Sequence, residues 1–396
     1  MNEKRINGIT SFGLGAIILI CLSCSSRQTE LETEEETAIE HVKVFYQKDK
    51  FAGWPANWGM WNWGNEILVS YTMADHMDRN GHNYDVETAV NQFSRSLDGG
   101  ETWQVEDAVE RGITEPTWEH HISSGGVEPT TLNEPINFTA DDFAFTFRMR
   151  NLLDGGTSFY YTYDRGKHWI GPFDLKVDLP GPEPAGIVSR TDYIIDGESQ
   201  MTAFLTVGFR EGDENWRQVA CVRTTDGGLT WKHLAWIGPA GINSIMPSSV
   251  RLDENRILTM IRRTKPPEMV SFLSEDNGLT WQQQKNPVIV DNNGHPPTML
   301  KLADGRLSLF YGIRHKETMP DGIGMYVTYS SDEGKTWSQP VQIRGGDGAM
   351  ADMGYPRSIQ RPDGKIVATY YYNNQDNGDK YRYIAASIFD TIEKEE

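Results

Sequence analysis

The chain has 396 residues, with 56 acidic side chains against 37 lysines and arginines and a formal charge of −19. That surplus repels phosphate backbones and argues against a nucleic-acid partner, while 38% hydrophobic residues exclude a wholly disordered chain. Twelve Trp, 16 Tyr and 15 Phe beside 38 Gly suit many short strands joined by tight turns.

Residues 1–24 read as an export signal, in which Lys4 and Arg5 precede an apolar run at 13–22 and Ser23 and Cys24 follow. The run is shorter than the roughly 20 residues a membrane-spanning helix needs. The segment resembles a bacterial lipoprotein signal. That resemblance implies lipidation at Cys24, a membrane partner reached through the lipid, and a protein exported and tethered to the outer membrane, facing the periplasm or the surface. Residues 25–40 open with SSRQTELETEEETA, which is acidic, lacks strand alternation and reads as a tether. With Cys21 removed and Cys24 lipidated, Cys221 is left as a lone thiol, so neither a disulfide framework nor a cysteine metal site is expected.

The body, 41–396, reads as one domain. It begins with a strand, HVKVFYQ at 41–47, and a dense run of tryptophans, GWPANWGMWNWG at 53–64. Trp54, Trp58, Trp61 and Trp63 are expected either to pack a first structural unit or to stack on sugar faces. Five segments then share one pattern: SLDGGETW at 96–103, TYDRGKHW at 162–169, TTDGGLTW at 224–231, SEDNGLTW at 274–281 and SSDEGKTW at 330–337. Their aspartates are separated by 66, 62, 50 and 56 residues, the spacing of stacked structural units. In each, Asp can accept backbone N–H bonds across a tight turn, Gly permits the turn, and Trp starts the next strand. Strand pairs around short turns lie between them, as in SSVRLDENRILTMIRR at 248–263 and PTMLKLADGRLSLFYG at 297–312. The last segments, SIQRPDGKIVATYYYN and YRYIAASIFD, give three strands without such a turn. The strand at 41–47 is expected to complete that unit and to remove an exposed sheet edge.

The five motifs resemble the Asp-boxes, or BNR repeats, of the sialidase superfamily. The resemblance implies an all-β, six-bladed β-propeller of four-stranded antiparallel blades in which the box aspartates are scaffold.

The inner strands should start at GWPAN (53–57), IMPSS (245–249), GHPPT (294–298) and GYPRS (354–358), which puts Trp54, Met246, His295 and Tyr355 on one face with Arg357 close by. Such convergence marks the default binding site. In the sialidases that this chain resembles, three arginines clamp the sugar carboxylate, a Tyr assisted by a Glu is the nucleophile, and an Asp is the acid/base. By that resemblance Tyr355 is the nucleophile, Arg262 or Arg263 and Arg314 are clamp residues, and Asp85 in GHNYDVE is the acid/base, with Asp75 and Asp78 as competitors. Two positions depart from the pattern: Trp54 stands where sialidases carry an Arg-Ile-Pro arginine, and NSIMPSSV stands where they carry the Glu. Glu128 in GGVEPTT, Glu119 with His120 and His121, Arg148, Arg150 and His295 offer further polar groups. A His or carboxylate among them can protonate a glycosidic oxygen or abstract a proton from a uronic acid.

The expected catalytic residues are therefore Asp85, His295 and Tyr355, and the expected substrate-binding residues are Trp54, Glu128, Arg263, Arg314 and Arg357. No cofactor and no metal are expected, and NNQDNGDK at 373–380 reads as a solvated turn rather than a calcium loop. The expected activity is exo-acting hydrolysis of a terminal acidic sugar on a glycan or oligosaccharide, by a monomer. A sialic-acid-specific enzyme, a uronate lyase and a non-catalytic carbohydrate-binding propeller are the alternatives.

Overall fold

Each of the five repeated turns is held by the same local hydrogen bonds. In the first, Ser96 Oγ lies 2.7 Å from Asp98 Oδ1, Gly100 N donates to Ser96 Oγ at 2.7 Å, and Thr102 N donates to Asp98 Oδ1 at 2.9 Å. The same set recurs around Asp164, Asp226, Asp276 and Asp332, with His168 in the place of the threonine in the second turn. Two of the glycines show why no side chain is tolerated. Gly278 and Gly334 have φ of 92° and 88°, and a Cβ there would come 3.0 Å from Cys221 Sγ and 2.5 Å from Leu258 Cδ2 on the preceding unit.

The computed structural model describes residues 38–79, 81–114, 127–151, 153–212, 214–287, 295–314, 322–347, 352–374 and 379–392. Cys24, the tether to residue 37, the Glu119, His120 and His121 group, and residues 375–378 of the acidic turn lie outside the described residues.

Six small antiparallel sheets form a six-bladed β-propeller. Blade 4 is the plainest: Ser244–Arg251, Ile257–Thr264, Pro267–Ser274 and Gln282–Gln283 run from the innermost strand outward. Blade 5 follows it with Thr298–Lys301, Leu307–Ile313, Gly324–Ser330 and Val341–Gly345. Blade 6 has Gly354–Gln360, Ile366–Asn374 and Asp379–Phe389, and its outermost strand is the N-terminal Glu40–Phe45, paired as His41 with Ser387 and Val42 with Ala386. The two ends of the body thus close the ring by hydrogen bonds, as the strand pattern predicts.

Three blades depart from four strands. Blade 1 has five, Lys50–Gly53, Gly59–Trp63, Glu66–Asp75, Val90–Ser96 and Gln104–Asp107, the first two both pairing with the third. Blade 2 has three, Ala144–Met149, Thr157–Thr162 and Ile170–Asp174. Its inner edge is met by other side chains instead: Thr146 Oγ1 donates to the Trp58 carbonyl, and Phe147 N donates to Thr191 Oγ1. Blade 3 is enlarged, with a long hairpin of Met201–Glu211 and Glu214–Thr224 and two-residue additions at its edges.

Neighbouring blades are bolted by arginines. Arg95 of blade 1 donates to the Arg165 carbonyl in the second box, Arg223 of blade 3 to Asn277 in the fourth, Arg256 of blade 4 to Glu333 in the fifth, and Arg361 of blade 6 to the Gly99 carbonyl in the first. Between these contacts the blades bury apolar side chains, such as Phe145, Phe159, Leu205 and Val222 between blades 2 and 3.

The first box carries a pH signature. Burial works against the Asp98 carboxylate, but the Thr102 and Ser96 bonds outweigh it and hold Asp98 at about 2. A depressed carboxylate contributes stability above its unfolded value, and the contribution is lost as pH falls through the folded one. The expected outcome is a Tm that drops between about pH 4 and pH 2. The variant Asp98→Ala should lower stability at neutral pH by about 1 kcal/mol and flatten that acid limb, read by thermal melts across pH.

Candidate active site

Three inner strands share an irregularity at their starts. Trp54, Met246 and Tyr355 each precede a proline and have φ of 61°, 54° and 53°, in the left-handed region that a bulky residue enters at a cost of roughly 1–2 kcal/mol. Proline at the next position disfavours the helical region further. In blades 4 and 6 the strand ladder slips at this point, between Ile245 and Ser248 and between Gly354 and Arg357. In blade 1 a single helical turn, Pro55–Trp58, interrupts it. The bulges carry Met246 and Tyr355 to one end of the central axis, where side chains from other blades meet them.

Tyr355 is the centre of that meeting. Arg262 Nη1 donates to its hydroxyl at 3.2 Å and lies 3.6 Å from Met246 Sδ. The Arg314 guanidinium is 6.0 Å from the Tyr355 ring and is itself held by the Met353 carbonyl and by Tyr371 Oη at 3.1 Å. Arg190 comes from blade 3 and is fixed by Asn57 Oδ1 at 2.6 Å. Burial alone would raise the Tyr355 phenol, but Arg262, Arg190, Arg314 and His82 together pull it down to about 7. Burial and the neighbouring Arg262 and Arg217 bring Arg190 down to about 10, still charged at neutral pH. The site therefore gathers three arginines around one ionisable phenol.

His82 is the fourth cation-forming group. Its ring stands edge-on to Trp54 at 4.8 Å, and its Nδ1 is 2.6 Å from Asp352 Oδ1. Asp352 also accepts from Tyr371 at 2.7 Å and Arg382 at 3.2 Å. Burial opposes the imidazolium, yet the Asp352 contact outweighs it and raises the His82 pKa.

Beneath the cluster Arg357 bars the axis. Its Nη2 donates to the carbonyls of Ala56, at 2.7 Å, and Thr191. The gap between it and Arg190, Met246 and the prolines at 247, 296 and 297 is only about 10 Å³. Below lies a channel cavity of about 240 Å³, lined by Thr191, Asp192, Ser249, Thr298, Ser358 and Trp61. Burial there pushes the Asp192 carboxyl up to about 7 despite Arg357 and the Ser249 bonds.

The other expected residues fall in several places. Tyr355 and Arg314 are in the cluster, and Trp54 is its wall, 2% exposed and packed on Phe51, Tyr84 and Tyr371. Arg263 points the other way from Arg262, because neighbours on a strand alternate; it pairs with Glu268 at 3.2 Å and covers Phe272. His295 is fully buried, packed so closely that a Cβ on Gly312 would lie 3.0 Å from its Nδ1. Asp85 caps the short turn Val86–Thr88, its carboxylate accepting from Glu87 N. Asp75 pairs with Lys50, and Asp78 with His76 and Lys380. Glu128 is exposed and pairs with Arg150, and Arg148 is buried against Trp58. Trp58 and Trp61 are packing residues, donating to Thr72 Oγ1 and to the Phe145 carbonyl. His82, Arg190 and Asp352 are the residues sequence reasoning missed. His82 lies within the GHNYDVE stretch, three positions from Asp85, whereas Asp352 lies just ahead of GYPRS, outside the stretches singled out.

Residues 143–368, more than half of the chain, match the family model described as a BNR repeat-like domain. No curated protein matches the sequence. Among solved structures, a protein of unknown function from Dyadobacter fermentans superposes with a TM-score of 0.67 at 20% identity, covering 89% of this chain and 99% of that one. A Hadza microbial sialidase gives 0.60 at 12% identity, over 89% and 68% of the two chains. An α-L-arabinanase from Penicillium chrysogenum, complexed with arabinobiose, gives 0.54 at 10% identity, over 88% and 97%. At these identities the likeness is one of fold.

The near-neutral phenol can be read directly. The buried tyrosines Tyr71, Tyr311 and Tyr371 are all shifted upward by burial, so ionisation near pH 7 should stand apart in an ultraviolet difference titration. The expected outcome is one phenol titrating at about 7, absent in Tyr355→Phe and moved up by about one unit or more in Arg262→Gln.

Proposed function

Because the chain belongs to the BNR repeat-like domain family, we propose that it is an exo-acting glycoside hydrolase that removes a terminal acidic sugar from a glycan. The observation that carries this reading is the Tyr355 hydroxyl, 3.2 Å from Arg262 within a group of arginines. A phenol held near neutrality is a competent nucleophile, and in its neutral form it does not repel an anionic sugar as a carboxylate does. The arginines that lower its pKa also supply hydrogen-bond donors for a sugar carboxylate. A floor closed by Arg357 suits a chain end rather than the middle of a polymer. That the fold neighbours include a sialidase and an arabinanase supports glycosidase chemistry. Sialic acid is the narrower reading, with Met246 and Trp54 standing where the sialidase pattern has Glu and Arg.

Elimination from a uronic acid is the second reading. It is favoured by the same phenol, which has Met246 rather than a carboxylate beside it and can serve as a base toward an acidic C–H bond. Export and lipid anchoring through Cys24 belong to the proposal as well. Among the described residues no helix is long and apolar enough to cross a membrane.

The test is product mass after incubation with sialylated, uronate-terminated and neutral glycans. A hydrated monosaccharide, with kcat/KM reduced about 10²–10⁴-fold in Tyr355→Phe, supports hydrolysis. A product lighter by one water supports elimination. Binding without turnover on the whole panel rejects both and leaves a carbohydrate-binding propeller.

A further inference from the structure

We infer that His82, held by Asp352, is the proton donor to the leaving group, in place of a carboxylic acid. The inference rests on the glycosidase reading and assigns that reaction its acid. Three observations converge on it. The carboxylates of the surrounding loop are spent elsewhere: Asp85 caps a turn, Asp75 is paired with Lys50, and Asp78 with Lys380. Asp352, the carboxylate that does reach the cluster, accepts from Tyr371 and Arg382 and contacts His82, and those bonds hold it ionised despite burial. His82 is joined to it through Nδ1, which directs Nε2 to the opposite side of the ring.

The remaining contacts fix the ring rather than bury it. Trp54 meets it edge-on at 4.8 Å, while the imidazole side chain stays 34% exposed. The charged and titratable groups facing it are Asp352, Arg314, Tyr355 and Tyr84, the last with its ring 6.5 Å away, and Tyr371 and Arg382 lie behind the carboxylate. Tyr371 links the two halves of the site, accepting from Arg314 at 3.1 Å and donating to Asp352 at 2.7 Å.

The step balances as follows. The bond from the anomeric carbon to the leaving oxygen breaks, its electron pair stays on that oxygen, and the proton on His82 Nε2 moves there as the Tyr355 oxygen bonds to the anomeric carbon. In the return step the oxygen of a water bonds to the anomeric carbon, its proton goes to Nε2, and Tyr355 leaves as phenolate. Asp352 touches neither sugar nor leaving group; it is a positioning residue that fixes the tautomer and favours the imidazolium.

The experiment compares His82→Gln, Asp352→Asn and Tyr355→Phe on acidic-sugar glycosides with an alkyl aglycone and with a para-nitrophenyl aglycone, which departs without protonation. His82→Gln should lower kcat/KM on the alkyl glycoside about 10²–10⁴-fold and on the aryl glycoside less than about 10-fold, with loss of the alkaline limb of the pH profile. Asp352→Asn should keep that limb but move it to lower pH. Equal losses on both aglycones in His82→Gln, or an unmoved limb in Asp352→Asn, overturn the assignment while leaving the glycosidase reading intact. Full activity in Tyr355→Phe, or no hydrolysis of either aglycone by the unaltered chain, overturns the glycosidase reading instead. The pair is also read without turnover, by NMR titration of the His82 imidazole. A value above the ordinary histidine range that falls in Asp352→Asn supports it, and a value that ignores the substitution overturns it.

Discussion

The site depends on a backbone constraint, the left-handed residue before proline at the start of an inner strand. A regular strand would alternate its side chains between the two faces of its own blade and aim few at the propeller axis. The bulge at Tyr355 breaks that alternation for one residue and carries the phenol across to Arg262 of blade 4. Met246 does the same from the other side and meets the same guanidinium. Such a conformation persists only where its surroundings over-determine it. Here they do, since Thr298 Oγ1 donates to the Pro356 carbonyl and Arg357, the next residue, is tied to blades 1 and 3. The strain sits where the chain needs reach, and the boxes at the opposite strand ends supply the rigidity that sustains it.

Charge then follows from geometry. Four strands end near one another, and three of them bring arginines into a space that Arg357 seals from the channel. Arg190 bonds to an amide oxygen, Arg262 to a thioether and a phenol, and Arg314 to a carbonyl and a phenol. Together with His82 they favour the anionic form of the phenol at 355 and pull its pKa down. The chain is acidic overall, and the cationic cluster is local.

How much of this the sequence disclosed depended on the range of the interactions. The boxes were legible because their bonds join residues two and four apart, as in Ser96, Asp98, Gly100 and Thr102. Ring closure was legible from a surplus strand at one end and a missing one at the other. That Tyr355 and Arg314 lie near one another is what the family pattern implied. Arg262 and Arg263 could not be separated, since adjacent strand residues face opposite ways and the parity is set by pairing, here Arg262 with Met269 and Arg263 with Glu268. His295 was placed on the binding face by its position at a strand start, and it is the glycines at 312 and 354 that let the neighbouring backbones close over it. His82 and Asp352 are 270 positions apart. No local pattern announces such a pair, and the nearby Asp85 drew the inference because it matched a carboxylate-based precedent.

That mismatch has a physical explanation. A carboxyl group facing Arg190, Arg262 and Arg314 would be driven to low pKa by the same field that ionises Tyr355, and an acid without its proton at neutral pH cannot serve a leaving oxygen. An imidazole in that field faces the opposite problem, because the arginines press it to lose its proton, as Arg314 does at His82. A single anion placed behind the ring, shielded from the arginines by its own bonds to Tyr371 and Arg382, reverses that pressure. On the proposed assignment, the two departures from the sialidase pattern and the His82 acid read as one change. With Met246 where the sialidase pattern has Glu, the arginines pull the Tyr355 pKa down. Replacing the first-blade Arg by Trp54 removes a cation that would stand against His82, and it supplies the apolar wall on which the ring rests. In the proposed assignment, a His–Asp pair in place of the Asp lets a proton survive beside the cations around Tyr355.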